Sequence, residues 1–245
     1  MKLEVIIEGV KQYYSLTWPE IIKMLNEKYG IRFIDRGVWG QVFDHPSWNY
    51  VVKVFDTDDA YLSFVNFVME NPNIHYPKFV KKPIEMHLFH KRSSHITNKT
   101  FYVVKVERLQ PLPQFFKMLF NLEIIDDIID AKQRNHKTCL LPDIKTFDLS
   151  LRHATFSEQN IDEWIRHYPE LKLDTLIPAI VAIKQSNISK MFKWDLHGKN
   201  CMMRDDGTVV ITDPLSADKF VKPFFDHVLD LTVSGPDMNK LTRTL

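Results

Sequence analysis

A short hairpin close to the carboxyl end of the chain brings two polar segments back to one place. The dipeptide Asp206-Gly207 lies between two apolar runs, residues 201–204 and 209–212, and Asp-Gly in that setting is a strong signal for a tight hairpin. Asn200 precedes the first run and Asp213 follows the second. Because a hairpin reverses the direction of the chain, we expect Asp213 to lie beside Asn200.

The side chains around this hairpin are suited to hold a metal-bound phosphate next to a proton acceptor. Asp195 opens the loop after a predicted helix, where its carboxylate can accept a proton from a hydroxyl group. Asn200 and Asp213 would present oxygen atoms to the same pocket, and Mg²⁺ prefers a few protein oxygens together with substrate phosphates. Each residue alone is common in turns. Their combination at this spacing is what indicates a magnesium–nucleotide site.

These residues resemble the catalytic segments of protein kinases. Asp195 and Asn200 match the aspartate and asparagine of the catalytic loop H-R-D-L-x-x-x-N, and Asp213 matches the aspartate of the metal-binding D-F-G. The resemblance implies that Asp195 orients the attacking hydroxyl and accepts its proton, while Asn200 and Asp213 hold Mg²⁺. The run Asp195-Leu196-His197 is also similar to the loop of aminoglycoside-type phosphotransferases.

The resemblance extends to the segments with which a kinase binds its nucleotide. A partial Gly-rich loop is followed by a lysine among valines, and small residues let backbone amides approach phosphate oxygens. A later predicted strand runs into a segment similar to the kinase hinge, whose backbone groups would meet the adenine edge. The residues implied to bind ATP are Gly37, Gly40, Val42, Lys53, Glu107 and Leu109. Lys53 would place a positive charge on the phosphates and so take part in catalysis.

Several positions depart from the kinase pattern. Asp35 occupies the place of the first glycine, and Lys193-Trp194 stand where the catalytic loop has His and Arg. Pro214 and Leu215 replace the Phe and Gly of D-F-G, and no A-P-E segment follows. Among kinases, the short chain and its Asp213-Pro214-Leu215-Ser216 ending look most like the serine/threonine kinases of T7-like bacteriophages.

The pattern of apolar residues predicts an α+β chain with a sheet-rich N-terminal lobe and a helical C-terminal lobe, and the resemblance implies a two-lobed protein kinase-like fold. We expect an N-terminal lobe, residues 1–107, built on an antiparallel sheet, and a helical C-terminal lobe, residues 108–245, with a shortened end. The predicted helices cover residues 17–29, 58–70, 115–132, 161–167 and 174–192. The predicted strands cover residues 31–55, with a turn at 45–49, then 84–90 and 101–106, which flank a polar loop at 91–100.

Composition excludes several other classes of protein. The chain has 245 residues, is 44% hydrophobic and has a net charge of +1, which argues against disorder and against general nucleic-acid binding. Its 2 cysteines share no metal-binding spacing. We expect no signal peptide and no membrane span, and therefore a cytoplasmic protein, within the bacterial host if a phage encodes it.

Three functions remain open at this point. The first is a phage-type serine/threonine protein kinase that uses ATP and Mg²⁺ to phosphorylate host proteins. The second is a small-molecule kinase of the aminoglycoside or choline phosphotransferase type, favoured by the long segment before the catalytic loop and the absent activation segment. The third is a catalytically inactive kinase-like binding module, suggested by the altered Gly-rich loop and by Pro214.

Overall fold

The computed structural model describes residues 23, 26–36, 40–56, 60–92, 95–142, 156–217 and 231–232. The chain divides into two compact units, one of Met1–Met69, Lys78–Arg108 and Ala217–Leu245 and one of Glu70–Pro77 and Leu109–Ser216. Most of the helix predicted at 17–29 lies outside the described residues, although 26–29 are helical and end at Gly30. Gly30 has φ 68°, a left-handed conformation that favours glycine after the last helical turn.

The first unit contains a six-stranded antiparallel sheet in the order β1-β2-β3-β5-β4-β13. Its strands are β1 (Arg32–Arg36), β2 (Gly40–Asp44), β3 (Tyr50–Asp56), β4 (Ile84–Arg92), β5 (His95–Glu107) and β13 (Leu231–Thr232). Helix α1 (Ala60–Glu70) supplies a buried apolar face that includes Phe64 and Val65. Val52, Val54 and Phe55 of the sheet are also buried, so this unit has a core of its own.

The prediction of a polar loop at residues 91–100 is wrong. Backbone pairing between β4 and β5 continues through these residues to the pair Arg92↔His95. A β-ladder is built from backbone groups, so the polar composition does not stop it, and the β-branched residues Thr97 and Thr100 favour strand.

The second unit is mostly helical, with short strands between the helices. Its helices are α2 (Gln114–Asn121), α3 (Ile124–Gln133), α4 (Ile161–His167), a 3₁₀ turn (Pro169–Leu171), α5 (Leu173–Gln185) and α6 (Ile188–Met191). Its strands are β6 (Gln110–Pro111), β7 (Thr138–Pro142), β8 (Phe156–Asn160), β9 (Lys193–Trp194), β10 (Cys201–Met203), β11 (Val209–Ile211) and β12 (Leu215–Ser216). Fully buried apolar residues from α3 and α5, among them Ile128, Leu176 and Ile180, form its core.

Two predicted helices are each divided in the structure. The helix predicted at 115–132 breaks between α2 and α3, where Glu123 has φ 57° and so leaves the helical conformation. The helix predicted at 174–192 ends at Gln185, because Ser186 is extended with ψ 164°. Pro178 is the sixth residue of α5 rather than part of its first turn, and it lies on the exposed side of the helix.

The two units are each built from more than one segment of the chain, and the division into lobes at residues 1–107 and 108–245 stays a prediction. Segment Glu70–Pro77 belongs with the second unit because it is bonded to it at several points. The ring of His75, which is fully buried, contacts the Val209 carbonyl and the Thr175 hydroxyl, each over 2.8 Å. The Tyr76 hydroxyl donates a hydrogen bond to the Ala179 carbonyl over 2.7 Å. Later in the chain, residues Leu231–Thr232 form strand β13, which pairs with β4 and so belongs to the first unit.

The expected mixture of an antiparallel sheet early in the chain and helices later is confirmed. The relation of these parts to a two-lobed kinase stays a prediction.

Candidate functional site

Asn200 links the two ends of the loop that the sequence predicted to be catalytic. Its side-chain nitrogen Nδ2 donates a hydrogen bond to the backbone carbonyl of Asp195 over 2.7 Å and lies 3.4 Å from Asp195 Oδ2. This bond fixes which side of the amide carries the nitrogen. The amide oxygen Oδ1 accepts no hydrogen bond from any described residue and is therefore available to a cation.

The hairpin returns Asp213 to Asn200. Strands β10 and β11 pair in antiparallel register, with Cys201 opposite Ile211. Beyond this pair, the backbone N–H groups of Thr212 and Asp213 both point to the Asn200 carbonyl, at 2.8 and 3.3 Å. The two residues are therefore neighbours along the base of the hairpin, as the turn sequence Asp206-Gly207 requires.

A second strand pair connects Asp195 to the residue after Asp213. Trp194 of β9 lies opposite Leu215 of β12, and the Asp195 N–H donates a hydrogen bond to the Pro214 carbonyl over 2.9 Å. The structure thus brings Asp195, Asn200 and Asp213 together through backbone hydrogen bonds. Pro214 takes part as an acceptor, a role for which proline needs no N–H.

The Asp195 carboxylate is accessible from solvent. Its side chain is 43% exposed, and Oδ2 lies 3.9 Å from Nε2 of His197. The other oxygen, Oδ1, accepts no hydrogen bond within the described part of the chain. A hydroxyl group of a substrate could therefore donate to Oδ1 without displacing an internal contact.

His197 lies inside the loop and contacts the residues on either side of it. Its Nδ1 accepts a hydrogen bond from the Lys199 N–H over 3.2 Å, and Nε2 is 3.1 Å from Nδ2 of Asn200. A ring that accepts at Nδ1 carries its proton on Nε2, so the Asn200 contact is a close approach of two donors rather than a hydrogen bond. The imidazole therefore supports the shape of the loop mainly through Lys199.

Sequence reasoning missed the helix that supports this loop. Gly198 is buried against α2, and a Cβ atom added to it would lie 2.6 Å from the Cα of Lys117. The Gly198 N–H donates a hydrogen bond to Oδ1 of Asn121, the last residue of α2, over 2.8 Å. A glycine within a loop is a signal for such close backbone approach, but the sequence does not indicate which helix approaches.

A second support, also missed, lies just before Asp195. The carboxylate of Asp126 on α3 accepts a hydrogen bond from Lys184 on α5 over 2.6 Å, and its other oxygen is 3.4 Å from Nε1 of Trp194. The ammonium group of Lys184 also lies 5.1 Å from the centre of the Trp194 ring. Trp194, which replaces the arginine of the kinase motif, is therefore held by a charged pair on two helices.

In the first unit, Gly40 and Lys53 are neighbours on the sheet. A Cβ atom at Gly40 would lie 3.2 Å from Cε of Lys53, so the absent side chain leaves room for the lysine. Lys53 pairs across the sheet with Val42 and with Val104. Its ammonium group lies 3.3 Å from the centre of the buried Tyr61 ring, a cation–π contact that helps to hold the charge within this unit.

The predicted hinge residues lie at the end of β5. The Glu107 N–H is bonded to the Lys78 carbonyl over 2.9 Å, and Oε1 of Glu107 accepts from the Lys78 N–H over 2.8 Å. Arg108 turns back to bind the carboxylate of Asp44 with both of its terminal nitrogens. The Glu107 N–H is thus occupied internally, and Leu109, which is half-buried, begins the longer segment of the second unit.

Other predicted features are outside the described residues or stay predictions. Gly37 falls in a range that the structure does not describe. Within the described ranges there is no group of three or more His, Cys, Asp or Glu residues arranged to hold a metal ion. The magnesium site predicted here would need only Asn200 and Asp213, whose hard oxygen donors fit that ion.

Burial raises the pKa of Cys139 to about 11 and that of Cys201 well above its ordinary value, so both thiols stay protonated.

Comparison with known proteins gives matches among solved structures. No family model and no curated protein sequence matches the chain. The chain is similar to a thermostable mutant of an aminoglycoside phosphotransferase, solved in ternary complex with AMP-PNP and hygromycin B. The identity is 18% and the TM-score 0.22, and the match covers 50% of this chain and 43% of that one.

None of the described helices is long and apolar enough to cross a membrane.

Proposed function

We propose that the chain binds Mg-ATP and transfers the terminal phosphate to a hydroxyl group. The single observation that carries this proposal is the convergence of Asp195, Asn200 and Asp213 at the base of one hairpin through short backbone hydrogen bonds. A proton acceptor and two oxygen ligands for Mg²⁺ at one place are the parts that phosphoryl transfer needs.

In this proposal each residue has a separate task. Oδ1 of Asp195 accepts the proton of the acceptor hydroxyl as its oxygen forms a bond to phosphorus, and ADP leaves with the electrons of the broken bond. Asn200 and Asp213 would hold Mg²⁺, which would neutralise charge on the phosphates. Lys53, Gly40 and Val42 bind the phosphates and the nucleotide in the first unit, and the backbone of Glu107 and Leu109 meets the adenine.

The first candidate acceptor is a serine or threonine of a host protein, as in the kinases of T7-like bacteriophages. A small-molecule alcohol is the second candidate, and one observation favours it. Strand β12 follows Asp213 after one residue, and the second unit ends at Ser216. The residues described directly after Asp213, 214–217, therefore form no activation segment on which a protein substrate could dock.

Transfer of label from γ-³²P-ATP tests the proposal. Asp195→Asn removes the proton acceptor and should lower the rate by about 10² to 10⁴-fold. Asp205→Asn in the exposed hairpin turn is the matched control, since it also replaces a carboxylate by an amide, and it should leave the rate unchanged. Equal rates for the two variants would refute the role of Asp195. No turnover by the wild-type chain with any acceptor would favour the inactive binding module.

The same label separates the two acceptors. The chain is incubated with bacterial proteins freed of small molecules, and separately with the small-molecule fraction supplemented with aminoglycosides and choline. Label on protein serine or threonine supports the first candidate, and label found only on small alcohols excludes it.

A further inference from the structure

The loop between Trp194 and Asn200 is supported at two points by one pair of helices, α2 and α3. Asn121 is the last residue of α2, and Asp126 lies in the first turn of α3, five residues later. Asn121 accepts the N–H of Gly198, three residues after Asp195. Asp126 contacts the indole of Trp194, the residue before Asp195. The two contacts therefore hold the backbone before and after Asp195, the proposed proton acceptor.

We propose that Asn121 and Asp126 are positioning residues for Asp195, an inference that rests on the proposed function. Neither residue is expected to touch the substrate. Their effect is to fix the backbone at Trp194 and Gly198, so that the carboxylate between these positions keeps one orientation. A displacement of about 1 Å in a reacting group can lower the rate of the chemical step on the order of 10²-fold.

The structure explains why these contacts determine the position of the loop. Gly198 lies so close to the backbone of Lys117 that the loop has no room to move toward α2. The bond to Asn121 prevents movement in the opposite direction, away from the helix. At the other end, Asp126 is itself held by Lys184, and both side chains are about a quarter exposed, at 24% and 26%. A partly buried charged pair is less screened by water than a surface pair, so Lys184 helps to keep the Asp126 carboxylate in place beside Trp194.

The left-handed residue Glu123 sets the geometry of the support. Its φ of 57° ends α2 and starts α3, which places Asn121 and Asp126 on the two sides of one tight corner. The Leu122 and Glu123 N–H groups are bonded to the Met118 and Phe120 carbonyls, over 2.9 and 3.1 Å, so the corner is fixed by its own backbone.

The kinetic test measures phosphate transfer by the wild-type chain and by three variants. Asn121→Ala removes the acceptor of the Gly198 N–H, and Asn121→Asp restores an acceptor oxygen. Gln133→Ala is the control, because it also removes an exposed carboxamide at the end of a helix of the same pair. We expect Asn121→Ala to lower kcat by about tenfold to a hundredfold with KM for ATP within twofold, and Asn121→Asp to recover most of the loss. A kcat for Asn121→Ala equal to that of Gln133→Ala would overturn the inference, as would a loss that Asn121→Asp does not recover.

Asp126→Ala tests the second support in the same assay. It should lower kcat in the same way, and a kcat equal to that of Gln133→Ala would overturn the assignment of Asp126.

Hydrogen exchange of the Gly198 amide, followed by NMR, does not depend on activity. Slow exchange in the wild type and in Asn121→Asp, with faster exchange in Asn121→Ala, supports the anchor even if no acceptor is phosphorylated. In that case the proposed function has failed and the support of the loop has not. An equally fast exchange in all chains overturns the inference whatever the activity.

Discussion

The side-chain amide of Asn200 donates a hydrogen bond to the backbone carbonyl of Asp195, over 2.7 Å. The bond closes the loop between the two residues and turns the amide oxygen away from Asp195. One residue therefore serves both ends of the candidate site, because its nitrogen shapes the loop while its oxygen remains available to a cation. The bond to Asp195 and the proposed metal binding therefore use different atoms of one side chain.

Replacement of Asn200 by alanine removes both atoms. If the oxygen binds Mg²⁺, the concentration of Mg²⁺ that gives half-maximal phosphate transfer should rise by about tenfold, a loss of about 1.4 kcal/mol in metal binding. The measurement is a Mg²⁺ titration of activity at saturating ATP. Asn187→Ala, at an exposed asparagine of the second unit, should leave the titration unchanged. An unchanged Mg²⁺ midpoint in Asn200→Ala would exclude the metal role and leave only the structural one.

Gly198 cannot accept a side chain without movement of the backbone. Gly198→Ala would press its methyl group against the backbone of Lys117 in α2, and we expect it to lower the free energy of unfolding by about 1 to 3 kcal/mol, as overpacking does. Gly207→Asn is the control. Gly207 has φ 80° but nothing lies within 4 Å of a Cβ there, and asparagine tolerates this conformation well. Urea unfolding in which both variants lose the same stability would contradict the close contact at Gly198.

The sequence predicted which residues meet at the hairpin because the information there is local. Asp-Gly between apolar runs determines the reversal, and the reversal determines that Asp213 returns to Asn200. Strands and helices with strong periodicity were predicted on the same basis, including α4, whose N-cap Asn160 accepts the N–H groups of Asp162 and Glu163.

The features that were missed depend on contacts between residues distant in sequence. Asn121 and Gly198 are 77 positions apart, and His75 and Val209 are 134 apart, so no local pattern could reveal either contact. The division of the helix at 115–132 had no local signal either, because a glutamate rather than a glycine adopts the left-handed conformation at residue 123. Local propensity was overridden there by the packing of α2 and α3.

His75 makes the stability of the second unit dependent on pH. Burial lowers the pKa of His75, and the charges of Lys172 and Arg204 act in the same direction, against the hydrogen bond to Val209 and the charge of Asp174. The unfolded chain therefore takes up this proton at a higher pH than the folded chain. The contribution to stability is complete above about pH 6.5 and declines as pH falls from there toward the lower pKa of the folded state.

Urea midpoints at pH 7.5, 6.0 and 5.0 measure this decline. We expect His75→Gln to lose less stability than the wild type over this interval, because glutamine keeps hydrogen-bonding groups but does not titrate. NMR titration of the His75 ring in the wild type gives the pKa directly and needs no variant. A ring pKa at or above 6.5 in the folded chain would contradict the prediction.

Asp44 and Arg108 hold the turn between β2 and β3. The Asp44 side chain is only 5% exposed and accepts from Arg108 and from Arg32. Burial acts to raise the pKa of Asp44, but the hydrogen bonds from the two guanidinium groups outweigh it and the pKa lies below its ordinary value. Arg108 also donates to the carbonyls of His45 and Trp48, over 3.3 and 3.0 Å, which are the two sides of the turn.

We expect Arg108→Lys to lower the free energy of unfolding by about 2 to 4 kcal/mol, because a lysine cannot make the two-pronged contact and leaves a buried carboxylate poorly paired. Arg32→Lys is the matched control. The Arg32 side chain is 54% exposed and makes one bond of 2.8 Å to Asp44, so its replacement should cost less than about 1 kcal/mol. The stabilisation by Asp44 should be present above about pH 3.9 and disappear below it as the carboxylate is protonated. Urea unfolding at pH 7 in which the two lysine variants are equally stable would show that the bidentate contact adds nothing, and the turn would then depend on its backbone alone.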